Sequence, residues 1–142
     1  MKFTLENAEP ISVKEMALRK IYVAISISFG NQKIGKVINI NQDPALSCRP
    51  DAPCRGVCYA CKGHYCFKNV KNALKGNFYA YLYDPDGYFK TISLVVAKQE
   101  SCAMKRGDAH PIVRWHSAGD IVDSRYFKGM VEVAKDNPKV DF

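Results

Sequence analysis

An α/β fold built on a partial, barrel-like parallel sheet is what this sequence predicts. Three observations carry the prediction. β-like segments alternate with amphipathic helical stretches, a cysteine-rich loop joins one β-like segment to a helix, and a short apolar piece (Val140-Asp141-Phe142) follows a helix-ending Asn137-Pro138. Strands alternating with helices imply a parallel sheet, whose strands need neighbours on both sides. Only one strand–helix unit after the cysteine loop is complete. Val140 therefore reads as the opening of a further strand, and the chain as a C-terminally truncated fragment of a larger (β/α) barrel-like protein. On this reading residues 1–29 form an N-terminal segment with a strand, and residues 30–142 form the cysteine-motif α/β domain.

Each element follows from local pattern. Val13–Lys20 reads as a short helix. In Lys20–Phe29, Ile21, Val23, Ile25 and Ile27 alternate on one side, which is the period of a strand. Gly30-Asn31 marks a turn, and Ile34–Ile40 is a second β-like segment. Pro44, Pro50 and Pro53 make residues 41–53 a loop. From Tyr65 the period lengthens: Phe67, Val70, Leu74, Phe78 and Leu82 recur at helical spacing, with lysines on the other face. Asp84-Pro85-Asp86-Gly87 reads as a turn that stops this helix. A second helix runs from about Tyr88 to Met104 and ends at Gly107. Ile112–His116 is a short buried strand, Ser117–Asp120 turns off its C-terminal end, and Ser124 caps a third helix, Arg125–Asp136.

The composition sets the class of protein. The chain has 142 residues, with 47% hydrophobic and 25% charged residues, the range of an ordinary globular domain. No stretch approaches the roughly 20 apolar residues of a membrane span, and no secretory leader precedes the fold. The expected compartment is the cytoplasm. In that reducing environment six cysteines are read as metal ligands or catalytic groups rather than as disulfides. The formal charge is +7, and it is concentrated: from Cys48 to Tyr83 the basic residues Arg49, Arg55, Lys62, Lys68, Lys71 and Lys75 face only Asp51. A basic stretch over residues 49–75 attracts phosphates, a nucleotide, nucleic acid or an anionic cofactor; it also has the form of a solvated helix face.

Cys48, Cys54, Cys58, Cys61 and Cys66 follow one another as C-x5-C-x3-C-x2-C-x4-C. Three thiolates at the C-x3-C-x2-C spacing of Cys54, Cys58 and Cys61 can wrap a compact loop around one cubane iron–sulfur cluster. This triplet is similar to that of the radical S-adenosylmethionine enzymes, whose cluster leaves one iron open for the methionine moiety of the cofactor. The match departs at one place: Ala60 stands where those enzymes have an aromatic residue, with Tyr59 one position earlier. A structural zinc site drawing on four of the five cysteines, with or without His64, is the alternative.

A wider resemblance joins these segments. Gly30-Asn-Gln-Lys-Ile-Gly35, Asn39-Ile-Asn41, Cys48, Cys54 and Cys58-Tyr-Ala60, with the later Val113-Arg-Trp-His116-Ser-Ala-Gly-Asp120 and Tyr126-Phe127, resemble the phage gene-product-eighty-eight family. The resemblance runs from about Gly30 to Phe142. It implies that Cys48, Cys54 and Cys58 carry the motif and Cys61 is additional, whereas the spacing favours Cys54, Cys58 and Cys61. The candidate metal ligands are therefore Cys48, Cys54, Cys58 and Cys61. By analogy with radical S-adenosylmethionine enzymes, Ser117, Gly119 and Asp120 are expected to hold the cofactor. Gly119 permits close backbone approach and Asp120 accepts from an ammonium, with His116 as a base or ligand beside them. The bland alternative is a tight turn with a satisfied core histidine.

Three functions follow. The first is an iron–sulfur protein of radical S-adenosylmethionine type acting on an unidentified substrate. The second is a zinc-stabilised nucleic-acid-binding module, in which Tyr59, Tyr65 and Phe67 interleave with the basic residues. The third is an inactive fragment.

Overall fold

The computed structural model describes residues 25–30 and 33–142. Their sheet has three strands in the order β1 (Ile27–Ser28), β2 (Val37–Ile40), β3 (Ile112–Trp115). β1 runs antiparallel to β2, pairing Ile27 with Ile40. β2 and β3 are parallel, with Val37, Ile38, Asn39 and Ile40 opposite Ile112, Val113, Arg114 and Trp115. The α/β class is as expected, but the sheet is mixed and open, and no barrel forms among the described residues. The reason lies in connectivity. One parallel step needs a long helical crossover, and β2 to β3 is the single such step between these strands, while β1 is joined by a short antiparallel return. Asp141 does extend the sheet past β3, through a parallel bridge to Ile112 in which Val113 N donates to Asp141 O at 2.7 Å.

The strand expected over Lys20–Phe29 is β in its described part only at Ile27–Ser28; Lys20–Ala24 and the helix expected at Val13–Lys20 lie outside the described residues. The second segment begins at Val37 rather than Ile34. After β2, Asp43 caps a one-turn helix, α1 (Pro44–Ser47), its carboxylate accepting from Ala45 N at 2.7 Å. The cysteine loop then winds through three short 3-10 segments, Pro53–Val57, Tyr59–Cys61 and Gly63–Cys66.

Helix α2 spans Lys68–Tyr83. Its buried side is turned relative to the expected stripe. Leu74, Asn77, Ala80 and Tyr81 are buried with Val70 half-buried, whereas Phe67 and Leu82 are exposed. A polar residue decides this. Asn77 Nδ2 donates to Ser26 O and Asn41 O at 2.8 Å, and Asn77 Oδ1 accepts from Ser26 N at 2.7 Å. The amide thus pairs with backbone groups at the ends of both β1 and β2. The Asp84–Gly87 turn is the start of helix α3 (Pro85–Arg106). Asp84 caps it, accepting from Gly87 N at 2.9 Å, and Pro85 occupies the first helical position, where its missing N–H costs nothing. Gly107, at φ 70, closes the helix in the left-handed conformation. Helix α4 runs Ser124–Asp136 and is capped by Asp123 rather than Ser124, through an acceptor bond from Tyr126 N at 2.8 Å.

The helices cover one face of the sheet. Ile38, Ile40 and Val113 meet Ala80 and Tyr81 of α2, Tyr88, Phe89, Ile92 and Val96 of α3, and Tyr126 and Val133 of α4. Aromatic edges fill the centre. The ring of Tyr126 lies 4.8 Å from that of Tyr81 and 5.1 Å from that of Phe89, both T-shaped. Trp115 is half-buried against this cluster, and Cys102 is half-buried on α3. His110 is exposed, 3.5 Å from Glu100 Oε1.

Helices α3 and α4 approach closely because Gly129 presents no side chain to Phe89, whose ring a Cβ there would overlap. Gly129→Ala is therefore expected to lower the melting temperature. The overpacking cost of about 1–3 kcal/mol outweighs the helix-propensity gain of up to about 1 kcal/mol. A melting temperature equal to or above that of the parent chain would show that the interhelical contact is looser than the geometry indicates.

Candidate functional site

Parallel pairing places the segments that follow β2 and β3 at the same edge of the sheet. The cysteine loop and α1 leave β2 there, and the His116–Asp120 turn leaves β3. Side chains and backbone stitch the two together. Asn39 Oδ1 accepts from Ser117 Oγ at 3.1 Å, Asn41 Oδ1 accepts from Ala118 N at 3.1 Å, and Gln42 N donates to Ala118 O at 3.0 Å. Ser47 Oγ accepts from Asp120 N at 3.0 Å, and the Tyr59 hydroxyl donates to Ser117 O. A small apolar cluster anchors the loop from below: Ala60, Leu74 and Ala118 are buried, with Cys58, Tyr65 and Val70 packed against them.

The loop encloses a pocket of ≈ 320 Å³ whose wall includes Cys48, Cys54, Cys58, Cys61 and Cys66 together with Arg55, Lys71 and Lys75. All five thiols are free; Cys54, Cys61 and Cys66 are exposed, while Cys48 and Cys58 are half-buried. Burial pushes the Cys48 thiol pKa up, and the nearby Asp120 carboxylate, Cys58 and Cys54 add to that shift. Tyr65 is raised first by burial and then by Tyr59, with Arg114 opposing. Among the described residues Lys62, Lys71 and Lys75 form no ion pair, whereas Arg49 is held by Asp51 at 2.9 Å. Exposed aromatics flank the cations: Tyr59 is 57% and Phe67 56% accessible. Tyr59 meets the edge of Tyr65 at 5.8 Å, and the His64 ring lies 5.3 Å from that of Phe67.

The His116–Asp120 turn is tightly constrained. His116 sits at φ 54, a left-handed conformation uncommon outside glycine, asparagine and aspartate. Its Nε2 lies 3.2 Å from the Tyr126 hydroxyl. Gly119, at φ 82, lies so close to the chain that a Cβ would stand 2.5 Å from Gln42 O, so only glycine fits. The Asp120 carboxylate accepts from Ile121 N at 2.7 Å and is otherwise exposed beside Cys48.

Beneath this turn lies a polar network that sequence patterning did not single out. Gln42 is fully buried, and its Nε2 lies 2.9 Å from the Tyr88 hydroxyl and 3.2 Å from that of Tyr126. The two hydroxyls are 3.3 Å apart. Gln42 Oε1 is buried without a hydrogen-bond partner among the described residues. Burial raises the pKa of both tyrosines, so each remains a neutral hydroxyl. The one sequence signal for the network is the polar run Asn39-Ile40-Asn41-Gln42-Asp43, which continues straight out of an apolar strand.

A family model described as Gene product 88 matches residues 6–142. No curated protein matches the chain. No solved structure matches it either.

These findings correct the expected function. Among the described residues, no group of three or more His, Cys, Asp or Glu side chains is arranged to hold a metal ion. The family that matches is Gene product 88. The reading as an iron–sulfur protein of radical S-adenosylmethionine type is therefore withdrawn, and the zinc-stabilised module with it. The physical reason is the course of the loop. Ligation needs three or four sulfurs within about 2.3 Å of one metal ion, an arrangement the described cysteines do not make. Cys66 Sγ turns to Cys61 O at 3.2 Å, and Cys58 packs into the Ala60 cluster.

Burial lowers the His116 pKa below its usual 6.5, with Asp120 partly opposing. The unfolded chain then takes up a proton before the folded chain does. This histidine's contribution is fully present above about pH 7 and is lost as the pH falls below about 6.5 toward the lowered folded-state value. His116→Asn keeps a residue tolerant of positive φ and removes the titrating ring. Denaturant midpoints measured across that window should fall less steeply with acidification in the variant; parallel curves would show that His116 titrates normally.

Proposed function

The chain belongs to the Gene product 88 family, a phage protein family, and for it we propose a role in binding single-stranded nucleic acid on the face formed by the cysteine loop and the first turns of α2. The observation that carries the proposal is the lining of one pocket by Arg55, Lys71 and Lys75, with exposed Tyr59 and Phe67 beside it. A strand needs both features. Cations neutralise its phosphates and release counterions, and aromatic faces stack on bases whatever their sequence. At ≈ 320 Å³ the pocket lies at the small end of ligand sites and fits part of one nucleotide, not a whole strand. Residues on either side would carry the rest: Lys62 along the loop, and Arg114 at the end of β3. The Asp120 carboxylate, at the rim beside Cys48, is suited to accept from the exocyclic amine of a base rather than to meet a phosphate. The wide excess of positive charge in residues 48–83, six basic residues against Asp51, adds long-range attraction. No described helix is long and apolar enough to cross a membrane, and the same reading locates the protein in the host-cell cytoplasm, where such strands are found.

A fluorescently labelled oligonucleotide of mixed sequence, titrated with the full chain at low salt, tests the proposal. With about four phosphates neutralised, log K should fall with log salt at a slope of about −3. Lys71→Glu combined with Lys75→Glu should weaken binding about tenfold or more while leaving the circular dichroism and melting temperature near those of the parent. Absence of any polarisation change at low salt, or a double variant that binds as the parent does, would refute it.

A further inference from the structure

In the cysteine pocket the Cys66 thiol reaches back to the backbone of Cys61. Cys61 ends one 3-10 segment and Cys66 ends the next. Between them the chain reverses at Lys62 and Gly63, the latter at φ 58, so that Cys66 Sγ comes within 3.2 Å of Cys61 O. A carbonyl oxygen lies roughly 3 Å from the Cβ of its own residue. The Cys66 sulfur is thus at most about 6 Å from the Cys61 Cβ, within reach of a disulfide once the two side chains turn toward each other. Both residues are exposed, and both face the pocket. No extended hydrogen-bond ladder holds the segment; its local bonds are Lys62 N to Tyr59 O at 3.0 Å and Phe67 N to His64 O at 3.2 Å. The other pocket thiols are placed differently: Cys58 packs into the apolar cluster under the loop, and Cys48 is half-buried behind Ser47 and Asp120.

We propose that Cys61 and Cys66 form a dithiol modification site that closes to an intramolecular disulfide when it meets a low-molecular-weight disulfide. The exchange balances in two steps. One cysteine sulfur, deprotonated, attacks a sulfur of the small disulfide; a mixed disulfide forms and one small thiolate leaves and takes up the proton. The second cysteine sulfur, deprotonated in turn, attacks the protein sulfur of that mixed disulfide. The Cys61–Cys66 bond forms and the second small thiol departs with the second proton. Two electrons pass from the cysteine pair to the small disulfide, which leaves as two thiols. In a reducing cytoplasm the pair rests open, so closure would report an oxidative shift. The six-residue ring would fix Lys62, His64 and Tyr65, and Tyr65 is part of the pocket wall. The proposal stands independently of the nucleic-acid reading.

The test treats the full chain with excess glutathione disulfide at neutral pH, quenches in acid, alkylates the remaining thiols and digests with trypsin. Cleavage after Lys62 separates the two cysteines in sequence. The expected product is the peptide holding Cys58 and Cys61 joined to the peptide holding Cys66, with Cys58 alkylated and the chain monomeric on a non-reducing gel. Cys61→Ser and Cys66→Ser should each lose this product, and Cys58→Ser should retain it. The parent chain alone supplies the decisive readout if a variant fails to fold. A Cys66 that stays fully alkylated, that pairs with Cys48, Cys54 or Cys58, or that links two chains would overturn the assignment.

Discussion

The parallel pairing of β2 with β3 is the constraint on which the rest of the structure depends. With Ile38 opposite Val113 and Ile40 opposite Trp115, one face of both strands is committed to the helices. The backbone leaves both strands at the same edge. That edge is where the cysteine loop and the His116–Asp120 turn meet, although helices α2 and α3 lie between them in sequence. A shift of register by one residue would turn Arg114 into the core and expose Ile38 and Val113. The apolar pattern of the two strands therefore fixes the geometry of the pocket as well as that of the sheet.

Buried polar residues supply the second layer of control. Asn77 ties α2 to the ends of β1 and β2, and Gln42 joins Tyr88 of α3 to Tyr126 of α4 beneath the site. Asp123 caps α4 and also accepts from the Tyr81 hydroxyl at 2.7 Å, so one carboxylate sets both the start of α4 and its position against α2. Such groups are costly to bury unpaired and specific once paired. They orient helices that apolar contacts alone would leave free to rotate. The strained backbone of His116 belongs to the same layer: its ring meets Tyr126, and its unusual φ turns the chain from β3 back toward Gln42.

The cysteine spacing illustrates the limit of a one-dimensional motif. Five thiols within nineteen positions make a metal centre a natural expectation, yet the loop folds as three successive 3-10 segments that leave the thiols free along one cavity wall, in no arrangement that holds a metal ion among the described residues. The same segments bring basic residues to that cavity from two elements, Arg55 from the loop and Lys71 and Lys75 from α2. The site is thus better described by its charge and its exposed aromatic rings than by its thiols.

Several features were legible in the residues themselves. The α/β class, the helix ends at Gly107 and Asn137, the strand at Ile112–Trp115, the family and the concentration of positive charge were all readable, because periodicity, capping chemistry and composition act over a few residues. What required tertiary structure was longer in range. The antiparallel placement of β1 depends on partners 11 to 13 positions away, and the burial of Asn77 and Gln42 and the turning of α2 away from its most apolar stripe depend on partners 36 to 84 positions away. Local propensity carries no record of such partners, since each was selected by a hydrogen bond or a packing contact that exists only after the chain has folded.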